Sequence, residues 1–83
     1  MVKWKYDPAE KYCPVHMYTL RDGTAFMWVE RYQRSSWCGA HVEIDGVSIT
    51  IDGVRGVERA KAWCVAMIPL LEQARAMKKG REG

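Results

Sequence analysis

The chain has 83 residues, 48% of them hydrophobic and 28% charged, with a formal net charge of +3. That length builds one domain rather than two, and the composition excludes a chain that is disordered throughout. So small a positive charge gives solubility and weak attraction to anions, but does not by itself make a nucleic-acid binder.

The first residues, MVKWKYDPAEKY, contain no apolar stretch of the kind that drives secretion, and the three cysteines are an odd number. A cytoplasmic protein without a disulfide framework is therefore expected. The longest apolar run, Ala62 to Leu71, is bounded by Lys61 and Glu72. It is too short to cross a bilayer, so no membrane partner is expected.

In chain order, residues 1–12 show no clear period and read as a loosely attached arm. Val15–Leu20 and Ala25–Tyr32 then flank Asp22-Gly23, a dipeptide suited to two-residue hairpins because glycine adopts positive φ freely. A turn there sets Leu20 opposite Ala25 and Tyr18 opposite Met27, with Thr19 against Phe26 and Met17 against Trp28. Both faces of this hairpin are largely apolar. The polar stretch Gln33–Ser36 reads as the turn into a third strand. Around Asp45-Gly46, Ala40, Val42, Ile44, Val47, Ile49 and Ile51 share one face, and His41, Glu43, Ser48 and Thr50 the other. This strict alternation marks a half-buried antiparallel ribbon.

Asp52-Gly53-Val54-Arg55-Gly56 reads as the break between sheet and helix. Beyond it Val57, Ala60, Cys64, Met67, Leu71 and Ala74 recur at helical spacing, with Trp63, Ala66 and Leu70 widening the stripe. Glu58 suits the positive end of the helix dipole, while Lys78-Lys79-Gly80 suits its end. Pro69 lacks an N–H and clashes with the preceding turn, which predicts a kink or break there. The expected fold is α+β and a single domain over 1–83. A four-stranded antiparallel meander (15–51) lies under one C-terminal helix (57–79).

Cys13-Pro14-Val15-His16 and Cys38-Gly39-Ala40-His41 are both C-x-x-H and use both histidines of the chain. If all four converged they would supply the Cys₂His₂ donor set of a structural zinc site. In an extended strand, however, positions three apart point to opposite faces, so Cys38 and His41 would not grip one ion. Buried or hydrogen-bonded Cys and His are the other reading, and no cofactor is then required. The same thiol–imidazole pairs lack an evident third group or oxyanion hole, the serines lie in a turn or on a plain strand face, and no glycine-rich phosphate loop is present. A non-enzymatic protein is expected.

Arg31-Tyr32-Gln33-Arg34-Ser35-Ser36-Trp37 interleaves cations with aromatic rings, as does Lys3-Trp4-Lys5-Tyr6. Such a run suits either a solvated turn or a strip that stacks nucleic-acid bases. With four Trp and four Tyr, one helix cannot cover every ring, and aromatics with arginine are the side chains that dominate interface hot spots. The expected partner surface is Phe26, Trp28, Arg31, Tyr32, Arg34 and Trp37.

The Asp-Gly hairpins followed by a helix opening Glu58-Arg59-Ala60-Lys61-Ala62-Trp63-Cys64 resemble small phage and prophage proteins. The resemblance spans roughly residues 17–68 and carries no shared site motif. It implies a host-takeover role, as in anti-CRISPR inhibitors, in which a surface of a bacterial protein or ribonucleoprotein complex is occupied without catalysis. The alternative expectation is a nucleic-acid-binding or regulatory module, stabilised by zinc if the C-x-x-H pairs meet. A homodimer through the exposed aromatic face is compatible with either.

Overall fold

The computed structural model describes residues 3–12 and 14–82, with the side chains of 79–82 left aside. Five strands run in chain order: β1 (Lys5–Asp7), β2 (Val15–Asp22), β3 (Ala25–Tyr32), β4 (Trp37–Ile44) and β5 (Val47–Arg55), and they are followed by α1 (Val57–Glu82). They form one antiparallel sheet in the order β1-β2-β3-β4-β5, so every neighbour in space is a neighbour in sequence. The α+β meander with a C-terminal helix stands, with one strand more than the sequence led us to expect.

The extra strand is β1, which pairs Tyr6 with Tyr18 and Asp7 with Met17. Residues expected to be a loose arm thus supply an edge strand, and Trp4 packs against the core just before it. At three residues β1 is too short for periodicity to reveal.

The β4–β5 hairpin has the expected register throughout, from Ile44 opposite Val47 to Ala40 opposite Ile51. Asp45 and Gly46 both have positive φ (48° and 82°), the type I′ arrangement whose twist matches that of the strands. The β2–β3 hairpin differs from expectation by two residues, pairing Asp22 with Ala25 and Leu20 with Met27. Its turn is Gly23-Thr24, with positive φ at Gly23 alone, so glycine occupies the first central position and Asp22 ends the strand. A shift of two keeps each side chain on its expected face.

Nor does the sheet end at Asp52. β5 continues to Arg55 through an irregularity where Cys38 pairs with Val54 while Ala40 pairs with Ile51. One extra residue is absorbed there, and Gly53 (φ 80°) supplies the left-handed backbone that such a bulge needs.

Ala25, Met27, Val29, Cys38, Ala40, Val42 and Ile44 from the sheet meet Ala60, Cys64 and Leu71 from α1 in one buried cluster. Gly56 opens the helix: its carbonyl accepts the Ala60 N–H at 3.1 Å, while its own N–H bonds the Ser36 carbonyl at 2.8 Å. Arg75 fastens the far end to the β4–β5 turn, with Nη1 2.9 Å from Asp45 Oδ2. Pro69 does not break the helix, which is continuous from Val57 to Glu82. The proline is exposed, so the Val65 carbonyl it leaves without a helical donor faces water. Ala74, expected in the buried stripe, and Ala66 and Leu70, expected to widen it, are also exposed.

Met27 is 1% exposed at the centre of this cluster. Met27→Ala should therefore cost about 2–5 kcal/mol in urea denaturation, the range for a buried methionine truncated without full collapse of the cavity.

Candidate functional site

Because side chains alternate across a strand, the face opposite the helix carries the other residues of each ladder row. Thr19, Trp28, His41 and Thr50 lie side by side across β2, β3, β4 and β5. The Trp28 and His41 rings stack with centroids 3.9 Å apart and planes 11° from parallel. His41 Nδ1 is hydrogen-bonded to Thr50 Oγ1 at 2.7 Å, which fixes the imidazole over the indole. Phe26 tilts against Trp28 at 5.6 Å, and the Arg21 guanidinium lies 4.7 Å from the Phe26 centroid. Arg21, Phe26, Trp28 and His41 thus form a continuous stack on a face that no other element among the described residues covers.

The rim of this stack is acidic. Glu30 and Asp52 converge above Gly39, where an added Cβ would lie 2.9 Å from Asp52 Oδ1 and 3.3 Å from Glu30 Oε1. A side chain there would push these two flexible carboxylate ends aside. Glu43 stands in the same row as Phe26 and Ser48. Met17 faces the same way, in register with Glu30.

The expected surface residues divide between the two sides. Phe26 and Trp28 are half-buried in the open face, and Tyr32 and Trp37 are exposed at its β3–β4 end. Arg31 lies in the opposite row, between His16 and Cys38, and donates to the Ser35 carbonyl at 2.9 Å. Arg34 occupies the turn with φ 71°. Neither arginine flanks the stack. Arg21 and His41 do; sequence reasoning missed Arg21 and singled out His41 only as a candidate zinc ligand. The alternation that placed His41 opposite Thr50 was the signal available for His41.

Of the C-x-x-H residues, the three that are described, His16, Cys38 and His41, do not face one point. His16 belongs to the helix-side face, where its ring stacks on Tyr6 and Nδ1 lies 2.7 Å from the Tyr6 hydroxyl. His41 is committed to Trp28 and Thr50 on the other face, while Cys38 is buried beneath the sheet. Cys13 lies outside the described residues. Among the described residues no three His, Cys, Asp or Glu side chains gather as metal ligands would.

Cys64 ties the helix to the site from below. Its Sγ approaches the His41 and Trp28 carbonyl oxygens at 3.9 and 4.0 Å, the backbones of the two residues whose rings stack above. Burial pushes its thiol up to about 11 from 9.0, partly offset by backbone hydrogen bonds. Burial raises Cys38 as well, against the lowering influence of the Arg31 charge and of the Gly56 N–H. Neither is a poised nucleophile.

No protein-family model, curated protein or solved structure matches this chain. No helix among the described residues is long and apolar enough to cross a membrane.

A raised folded-state pKa means that the unfolded chain loses its proton first as pH rises. The contribution of Cys64 is therefore complete below 9.0 and is lost as pH climbs through about 11. Thermal stability should fall over that window, and Cys64→Ala should flatten the fall; an equally steep fall in the variant would assign it to other groups.

Proposed function

We propose that the protein is a small non-enzymatic binding module that docks a partner protein on the open face of its sheet. The observation that carries this reading is the uncovered Arg21–Phe26–Trp28–His41 stack, held rigid by ladder register and the Thr50 hydrogen bond. A preorganised aromatic centre with a polar rim has the anatomy of a protein-binding hot spot. The acids Glu30, Glu43 and Asp52 around the stack favour a partner that brings lysine or arginine to the rim. Those same carboxylates repel phosphate, which sets a nucleic-acid reading second. What favours that second reading is the exposed pair Tyr32 and Trp37 beside Arg34, one row beyond Glu30. The resemblance to phage proteins extends the proposal to a class of partner: a bacterial protein or ribonucleoprotein complex, inhibited by occupation of its surface.

Capture from bacterial lysate by immobilised wild-type protein and by Trp28→Ala, each with and without nuclease, tests the reading. The variant should keep native circular dichroism, since Trp28 lies outside the buried cluster, and should weaken partner binding by about 30-fold or more, equivalent to the ~2 kcal/mol of a hot spot. Unfolding of Trp28→Ala would assign the ring to the core and withdraw the site. Capture abolished by nuclease, together with oligonucleotide affinity that falls steeply with salt, would favour the nucleic-acid reading.

A further inference from the structure

The sheet has two edges of unequal character. β1 offers three residues, whereas β5 runs for nine, with neither proline nor lysine among them. One side of β5 pairs with β4, and the other has no strand partner among the described residues for its backbone N–H and C=O groups. Folded proteins blunt such edges with charge, proline or bulges. Here the bulge lies near one end, and Val47 to Ile51 remains a regular edge, β-branched at every position but Ser48.

The helix adds apolar surface along the same edge. Lys61 leans toward the β1–β2 side, its Nζ 4.8 Å from the Tyr18 ring and 5.6 Å from that of Trp4. Leu70 follows Lys61 by nine residues, about 180° round the helix, and Trp63 by two, about 200°. Both therefore face the β5 side. Leu70 is 55% exposed there, and Ile49 on the strand is 38% exposed.

We propose that β5 pairs antiparallel with β5 of a second copy, joining two sheets into one of ten strands. Charge selects this occupant and this direction. β5 begins beside Asp45, which also holds Arg75 of its own chain, and ends at Arg55. An antiparallel copy sets Arg55 against the second copy's Asp45, whereas a parallel copy in register would set Arg55 against Arg55 and Asp45 against Asp45. With Thr50 on the two-fold axis, Ile49 faces the second copy's Ile51, and Ser48 the second copy's Asp52. Arg55 then lies beside the second copy's Asp45–Gly46 turn. This register keeps helix side with helix side, and Leu70 and Trp63 fill the space between the two helices. The contact is two-fold and uses the long edge of both copies, so assembly closes at two. The two Trp28–His41 stacks then share one face, with the His41 residues three strand spacings apart, about 14 Å.

Sedimentation velocity of the full chain over a micromolar concentration series tests the pairing without any partner. The wild type should approach twice 9.6 kDa. Ile49→Lys should be monomeric with native circular dichroism, and Arg55→Glu should dimerise several-fold more weakly. Val65→Glu, on the outward helix face, should leave the dimer unchanged. A wild type that stays monomeric, or an Ile49→Lys variant that folds and still dimerises, overturns the proposal. So does loss of the dimer in Val65→Glu alone, which would move the interface to the helix. Should Ile49→Lys fail to fold, Arg55→Glu decides, and an unaltered dimerisation constant overturns the pairing.

Discussion

The structure depends on the register of the β4–β5 hairpin, and that register depends on two residues with positive φ. With Asp45 and Gly46 in a type I′ turn, Ala40, Val42 and Ile44 must face the helix while His41 and Glu43 face away. A slip by one residue would invert the set, burying an imidazole and a carboxylate and exposing three core side chains. The pairing then propagates: Val42 fixes Met27 and Met27 fixes Leu20, while His41 fixes Trp28 and Trp28 fixes Thr19. One turn thus aligns the core below and the aromatic stack above.

One helix laid on five strands cannot cover them all. α1 sits over β3, β4 and β5, and beyond it Trp4, Tyr6 and Tyr18 cover the helix-side face of β1 and β2. Lys61 bridges the gap, its stem along the helix and its ammonium over two of those rings. The abundance of aromatic residues is therefore partly structural. Rings stand in for a second helix on one side, and on the other they form a surface that no element among the described residues covers.

The thinness of the sheet couples its two faces. Cys64 reaches the Trp28 and His41 carbonyls from the helix, so the backbone under the stack is held by the core packing of α1. The bulge at Asp52 and Gly39's missing side chain aim two carboxylates over the same sheet. These details turn an apolar face into one rimmed with negative charge.

The sequence by itself determined the elements whose signal is local and repeated. Alternation from Ala40 to Ile51 around Asp45-Gly46 stated a hairpin, its register and its faces, and the spacing of Val57, Ala60, Cys64, Met67 and Leu71 stated the helix and its buried side. Tertiary structure decided whatever depends on contacts distant in the chain. β1 exists because β2 offers it an edge, and the strand continues past Asp52 because Cys38 and Trp37 supply partners for Val54 and Arg55. Pro69 is tolerated because its position faces solvent, where water satisfies the orphaned carbonyl. The site was half legible: Phe26 and Trp28 stood out as rings on a face with no evident cover. Arg31 was assigned to them by sequence proximity, although strand parity sends it to the opposite face, and Arg21 was passed over although cross-strand pairing seats it on Phe26. Alternation within a strand can be read along a chain, but which strand lies beside which, and in what register, is settled only when the chain packs.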